Sequence, residues 1–132
     1  MSLPEVLGRL VDTVPALAAV YLYGSEARGE ARPDSDVDLA LLARRAIPGE
    51  TLLRVRQLLE SSLGRDVDVV DLRIAPLTLV REVLADGRRL LAPDALEADL
   101  FEVRALRDYE DLKRRREPIE TDIAARGRVF GP

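Results

Sequence analysis

The chain has 132 residues, 24 acidic against 20 basic, and a formal net charge of −4. It contains neither cysteine nor histidine, which excludes a disulfide framework, thiolate zinc sites, imidazole bases and His-dependent nucleophilic catalysis. With both absent, any chemistry must rest on carboxylates, hydroxyls, arginines and oxygen-bound metals, and the acidic balance argues against a broad nucleic-acid-binding surface.

An apolar content of 47% with 33% charged residues fits one soluble globular domain with a real core. No apolar run reaches membrane-spanning length and no secretory signal pattern is present, so a cytoplasmic location and no membrane partner are expected. In chain order, Leu3, Val6, Leu7, Leu10, Val11 and Val14 recur at helical spacing, with Ser2 as cap and Pro4 in the first turn. Ala18 to Tyr23 reads as a buried strand. A short helix is expected after Ser25, ending near Gly29 or Ala31. A second strand runs from about Val37 to Ala43. Leu52, Val55, Leu59 and Leu63 mark an amphipathic helix stopped by Gly64. Asp66 to Leu72 is the third strand. Pro76 opens a helix bearing Leu77, Val80, Val83 and Leu84 that ends at Gly87, and Arg88 to Ala92 is a candidate short fourth strand. From Pro93 the strand pattern disappears. Leu96, Leu100, Val103, Leu106, Tyr109 and Leu112 form one stripe on a long charged helix, which could pack on the sheet or on a partner, and the tail from Arg126 to Pro132 is expected to fray. This order describes an α/β fold, a sheet covered by helices.

The most informative segment joins the first two strands. Gly24-Ser25 is followed by ten residues and then by Asp36-Val37-Asp38. Gly24 lets the backbone turn tightly. Ser25 is a favoured cap type, and a helix start behind it offers free N–H groups to an anion. The chain returns through Pro33-Asp34-Ser35 into a strand that opens with two carboxylates on one face. Charge at the start of a buried strand is costly unless paired or metal-bound. Paired carboxylates beside a phosphate-binding turn suit Mg²⁺ with a nucleoside triphosphate. On the third strand Asp66 and Asp68 share a face, whereas Asp71 falls with Val67 and Val69 by parity.

Gly-Ser, ten residues and Asp-x-Asp, with the flanks Ala27-Arg28-Gly29 and Ser35-Asp36, resemble the signature of the minimal nucleotidyltransferases, the smallest branch of the DNA-polymerase-β-like superfamily. The resemblance covers roughly residues 1–93. It implies a polymerase β-like palm fold with a small mixed sheet, in which residues 1–93 form the nucleotidyltransferase core and residues 94–132 a helical extension of the same domain. It also implies a third carboxylate in a Val-Asp-apolar-Val context, which matches Asp68 in Val67-Asp68-Val69-Val70. Asp36, Asp38 and Asp68 are then the catalytic and metal-binding residues, holding two Mg²⁺ ions. Gly24, Ser25 and Arg28 are the nucleotide-binding residues. Arg32 and Arg81 are not distinguished from ordinary surface arginines.

The same resemblance implies the biology. Small nucleotidyltransferases of this type commonly act as antitoxins beside a HEPN-type toxin, transferring AMP from ATP to a tyrosine of that ribonuclease. The expected partners are therefore ATP and a HEPN-type toxin protein. Two alternatives stay open: a nucleotide-binding pseudoenzyme that neutralises the toxin by contact alone, and a transferase acting on a small molecule or a nucleic-acid end.

Overall fold

The computed structural model describes residues 2–30, 32 and 36–126. Pro33-Asp34-Ser35 and the end of the tail, residues 127–132, lie outside the described residues. Helix α1 spans Leu3–Thr13, with the Glu5 amide donating to Ser2 Oγ and Pro4 in the first turn. Strand β1, Leu17–Tyr23, is followed by α2, Gly24–Arg28, and β2, Val37–Ala43. Helix α3, Gly49–Leu63, ends at Gly64 in the left-handed conformation that glycine tolerates best. Strand β3 is Val67–Asp71, α4 is Leu77–Asp86, β4 is Arg88–Leu91 and α5 is Ala95–Arg126.

The four strands form one mixed sheet in the order β3-β2-β1-β4. β1 pairs antiparallel with β2 and β4, and β2 pairs parallel with β3 across the α3 connection. Every residue of β1 is buried, because the sheet is covered on both faces. On one face Val20, Leu22, Leu39, Leu41 and Val67 meet Val6, Leu7 and Leu10 of α1 and Val55 and Leu59 of α3. On the other, Tyr21, Tyr23, Ala40 and Leu42 meet Val80 and Val83 of α4 and Ala98 and Ala105 of α5. The period of two along β1 and β2 sorts side chains between these cores.

Two expectations need correction. Helix α2 starts at Gly24, its cap position is Tyr23, and no side chain caps it, so Ser25 lies inside the first turn rather than at the cap. The stripe on α5 does not pack as a unit either. Leu96, Leu100, Val103 and Leu106 are 69%, 43%, 56% and 49% exposed, whereas Ala98 and Ala105 are buried and Phe101, Tyr109 and Leu112 half-buried. Alanines let the helix axis come close to the sheet, and the larger aliphatics are left on the outside.

Polar contacts fix α5 to the sheet. The Tyr21 hydroxyl donates to Glu102 Oε2 at 2.9 Å, and Arg89 Nε donates to the same carboxylate. Arg73 donates to the Ala43 carbonyl at 2.7 Å, pairs with Glu97 and stacks its guanidinium over Phe101 at 5.1 Å. Arg44 pairs with Asp94 at 2.6 Å, while Asp94 accepts the Glu97 amide at the start of the helix.

Asp71 is the one buried charged side chain among the described residues, 3% exposed. As parity predicts, it points away from the face shared by Asp68. Its oxygens accept the Ile47 amide at 2.7 Å and the Arg73 amide at 2.9 Å, pinning the β2–α3 loop to the end of β3. Asp71→Ala leaves both amides unpaired and is expected to cost about 1–3 kcal/mol. Urea unfolding will read this as a lower midpoint at unchanged slope, with nucleotide binding retained.

Candidate active site

The register of the sheet brings the predicted carboxylates together. Tyr23 at the end of β1 lies opposite Asp38 near the start of β2, and Asp38 lies beside Asp68 on β3. Side chains in register on adjacent strands project to the same face, so Tyr23, Asp38 and Asp68 make one row across three strands. Asp36 precedes β2 and is exposed, Asp38 is half-buried, and Asp68 is exposed. No hydrogen bond or ion pair from another described residue reaches any of the three carboxylates.

Gly24 closes the row from above. Its φ of +73° is a conformation that L side chains rarely adopt, and a Cβ built there would run into the Asp38 carboxylate. Backbone and carboxylate therefore pack directly on each other, which only glycine permits. Ser25 is half-buried, and its hydroxyl makes no hydrogen bond with the described residues. Helix α2 is held in place by an ion pair between Glu26 and Arg65 and closed by Gly29, with the Glu30 amide donating to the Ser25 carbonyl at 2.9 Å. Arg28 is exposed and donates to Glu30 at 3.1 Å, and the Glu30 carboxylate strengthens its hold on its proton. Arg28 acts on Asp38 only through its field. Arg81 lies over the Tyr109 ring at 5.0 Å, a packing role on α4 and α5.

Electrostatics mark the same place. The Asp38 carboxyl is held above its ordinary value of 3.8 by burial first, then by Asp68, Asp36 and Glu82. The Tyr23 phenol is pushed up to about 12 by burial and by the fields of Asp38, Asp68 and Glu82. Two neighbours of the site were therefore missed in the sequence, Tyr23 and Glu82. Tyr23 was findable, since it immediately precedes Gly24 and shares the parity of Tyr21. Glu82 carries no local signal, because its nearness depends on how α4 packs.

The oxygen-only donor set fits a hard divalent cation. The observation that tests the fit is the charge on Asp38: three neighbouring carboxylates raise its proton affinity, and no cation among the described residues pairs with it. No three acidic side chains among the described residues stand close enough to form a metal cluster.

The comparisons with known proteins place the chain in a family. Residues 5–95 match the family model described as polymerase beta, nucleotidyltransferase, and the chain belongs to that family. Protein adenylyltransferase MntA of Shewanella oneidensis is 33% identical over 121 residues, covering 92% of this chain and 86% of that protein. A crystal structure of a toxin–antitoxin with AMP-PNP aligns with a TM-score of 0.79 at 31% identity, covering 93% of this chain and 99% of that one. A structure of a tri-AMPylated Shewanella oneidensis HEPN toxin in complex with an MNT antitoxin aligns at 0.71 and 30% identity, covering 91% and 94%.

The raised Asp38 carboxyl has a measurable consequence. A carboxyl whose folded-state pKa exceeds its unfolded value adds stability below the unfolded value and loses it as pH rises through the folded one. At neutral pH and without metal, Asp38 is then a net cost. Asp38→Asn is expected to be more stable than wild type to thermal unfolding at pH 7 in EDTA, and the difference should shrink as pH is lowered toward 3.8.

Proposed function

We propose that this chain is a Mg²⁺-dependent protein adenylyltransferase that works as a cytoplasmic antitoxin, transferring AMP from ATP to a tyrosine hydroxyl of a HEPN-type toxin. The observation that carries the reading is the row of Asp38 and Asp68 in register, with Gly24 packed on the Asp38 carboxylate. Family membership supplies the reaction class. The relatives named protein adenylyltransferase and captured with a tri-AMPylated toxin supply the acceptor. No described helix is long and apolar enough to cross a membrane.

In this reading the acceptor oxygen attacks the α-phosphorus of ATP. The bond from that phosphorus to the bridging oxygen breaks, and pyrophosphate leaves with the electron pair. Two Mg²⁺ ions, when bound, would neutralise the triphosphate and stabilise the attacking and leaving oxygens. Asp36 and Asp38 would hold the ions that bind the triphosphate, and Asp68 would ligand the one nearest the attacking hydroxyl. Asp68, exposed at the edge strand, faces the acceptor and receives or relays its proton. Gly24 lets the backbone approach the phosphates, and the free Ser25 hydroxyl donates to a phosphate oxygen. Arg28 contributes positive field to the same region. The site is open toward Asp36 and Asp68, so the partner completes the cavity and excludes water from the reacting phosphate.

Mass spectrometry of the co-expressed neighbouring toxin, incubated with ATP and Mg²⁺, is the direct test. Wild type is expected to add AMP to a tyrosine, and the Asp36→Ala/Asp38→Ala variant to add none. An unmodified toxin that both proteins neutralise equally would overturn the transferase reading in favour of contact alone.

The carboxylates also divide by role. ATP·Mg²⁺ at 100 times Kd should stabilise wild type by about 2.7 kcal/mol, read as a rise in Tm. Asp68→Asn should keep most of that rise yet lose most turnover, whereas the Asp36→Ala/Asp38→Ala variant should lose both.

A further inference from the structure

The proposed site draws on three segments that are held to one another unequally. β2 and β3, which carry Asp38 and Asp68, are neighbours in one ladder, and between them the Asp66 carbonyl accepts the Val37 amide at 2.9 Å. Helix α2 begins with Gly24 and Ser25, is five residues long and belongs to no ladder. A helix that short does not hold itself in place. Apolar packing fixes it only in part. Ala27 touches the α1/α3 core, but a cavity of about 280 Å³ opens where Leu22, Val37, Leu39 and Leu63 face Glu26 and Arg65. An ion pair between those two side chains, both partly buried, joins α2 to the entry of β3. The Arg65 end of the pair is firmly anchored. Its neighbour Asp66 is hydrogen-bonded to Val37. The Val67 amide donates to Glu60 Oε2 at 3.0 Å, and the Glu60 carboxylate also pairs with Arg56 at 3.4 Å.

We propose that Glu26 and Arg65 are positioning residues: their ion pair sets the spacing between the Gly24-Ser25 turn and the strands that carry Asp38 and Asp68. The inference rests on the function proposed above and names what aligns the two halves of that site. A triphosphate that touches both the turn and the carboxylates needs them at a fixed separation, and a misplacement of about 1 Å can cost 10²-fold. Glu26 follows Ser25 directly in the chain, so holding its carboxylate holds the turn. The sign of its charge makes the role testable. A carboxylate beside Ser25 repels a triphosphate, and a guanidinium attracts one. Acting through their fields, the two side chains would have opposite effects on nucleotide binding. Acting as one tie, they have the same effect.

The test compares Glu26→Gln, Arg65→Gln and the double variant with wild type, without any toxin. Three quantities are read: Tm without nucleotide, Kd for ATP with Mg²⁺, and hydrogen exchange at the Gly29 and Glu30 amides, which donate to the Glu26 and Ser25 carbonyls of α2. Tm should stay close to wild type, because a partly exposed ion pair contributes little to stability. Exchange at the two amides should quicken in every variant. Both single variants should bind ATP about 10-fold more weakly or worse, and the double variant no more weakly than either single one, as expected of partners in one contact. Tighter ATP binding by Glu26→Gln would overturn the assignment, since the carboxylate would then act through its charge. So would additive losses in the double variant, or a fall in Tm with ATP affinity kept. Wild type that fails to bind ATP would overturn the proposed function and this inference together, whereas wild-type binding with unchanged variants would overturn this inference alone.

Discussion

Like charges do not assemble by themselves, and this site exists because strand pairing forces them together. The β1–β2–β3 register sets Tyr23, Asp38 and Asp68 in one row. A slip of one residue in β2 would turn Asp38 into the α1/α3 core and Leu39 out of it. Burial of Val37, Leu39 and Leu41 against α1 and α3 prevents that slip. The hydrophobic effect on one face of the sheet thus maintains electrostatic repulsion on the other. The raised Asp38 carboxyl records the tension that results.

The arginines show how the repulsion stays available for a ligand. In a chain without histidine and with a single lysine, they are the cations that could quench the carboxylates. Several have other work. Arg73 bridges Ala43, Glu97 and Phe101, Arg89 binds Asp99 and Glu102, Arg44 holds Asp94, and Arg65 holds Glu26. These contacts fasten α5 and α2 to the sheet, and Arg28 is turned toward Glu30. The scaffold uses this positive charge to lock helices, and among the described residues no cation pairs with Asp36, Asp38 or Asp68.

Asp68 and Asp71 show how position along one strand separates two roles for the same residue type. Both belong to Val67–Asp71. Asp68 faces the open side near Asp38 and accepts from no donor among the described residues. Asp71, three residues on, faces the other way and is saturated by the Ile47 and Arg73 amides. Carboxylates in the interior persist when donors satisfy them. By that rule Asp71 is structural, whereas Asp68 is left with unsatisfied valence at the surface.

Most of the architecture was legible in the chain. Patterns of two and of 3.6 residues located the strands and helices. Gly24, Ser25, Asp36 and Asp38 stood out by type and spacing, and parity separated Asp68 from Asp71. Those features are local, because the period of a strand and the conformational freedom of glycine need no distant residue. The face of α5 was not legible in this way. Its largest apolar residues suggested the buried stripe, but the sheet selected Ala98 and Ala105, since close approach favours small side chains. Nor did the sequence place Glu82 near the carboxylates, or distinguish Tyr21, which found Glu102, from Tyr23, which found no hydrogen-bond partner among the described residues. The residues and their order determined which groups could act and on which strand face. Only the tertiary packing decided which neighbours reached them, because that depends on where separate elements meet.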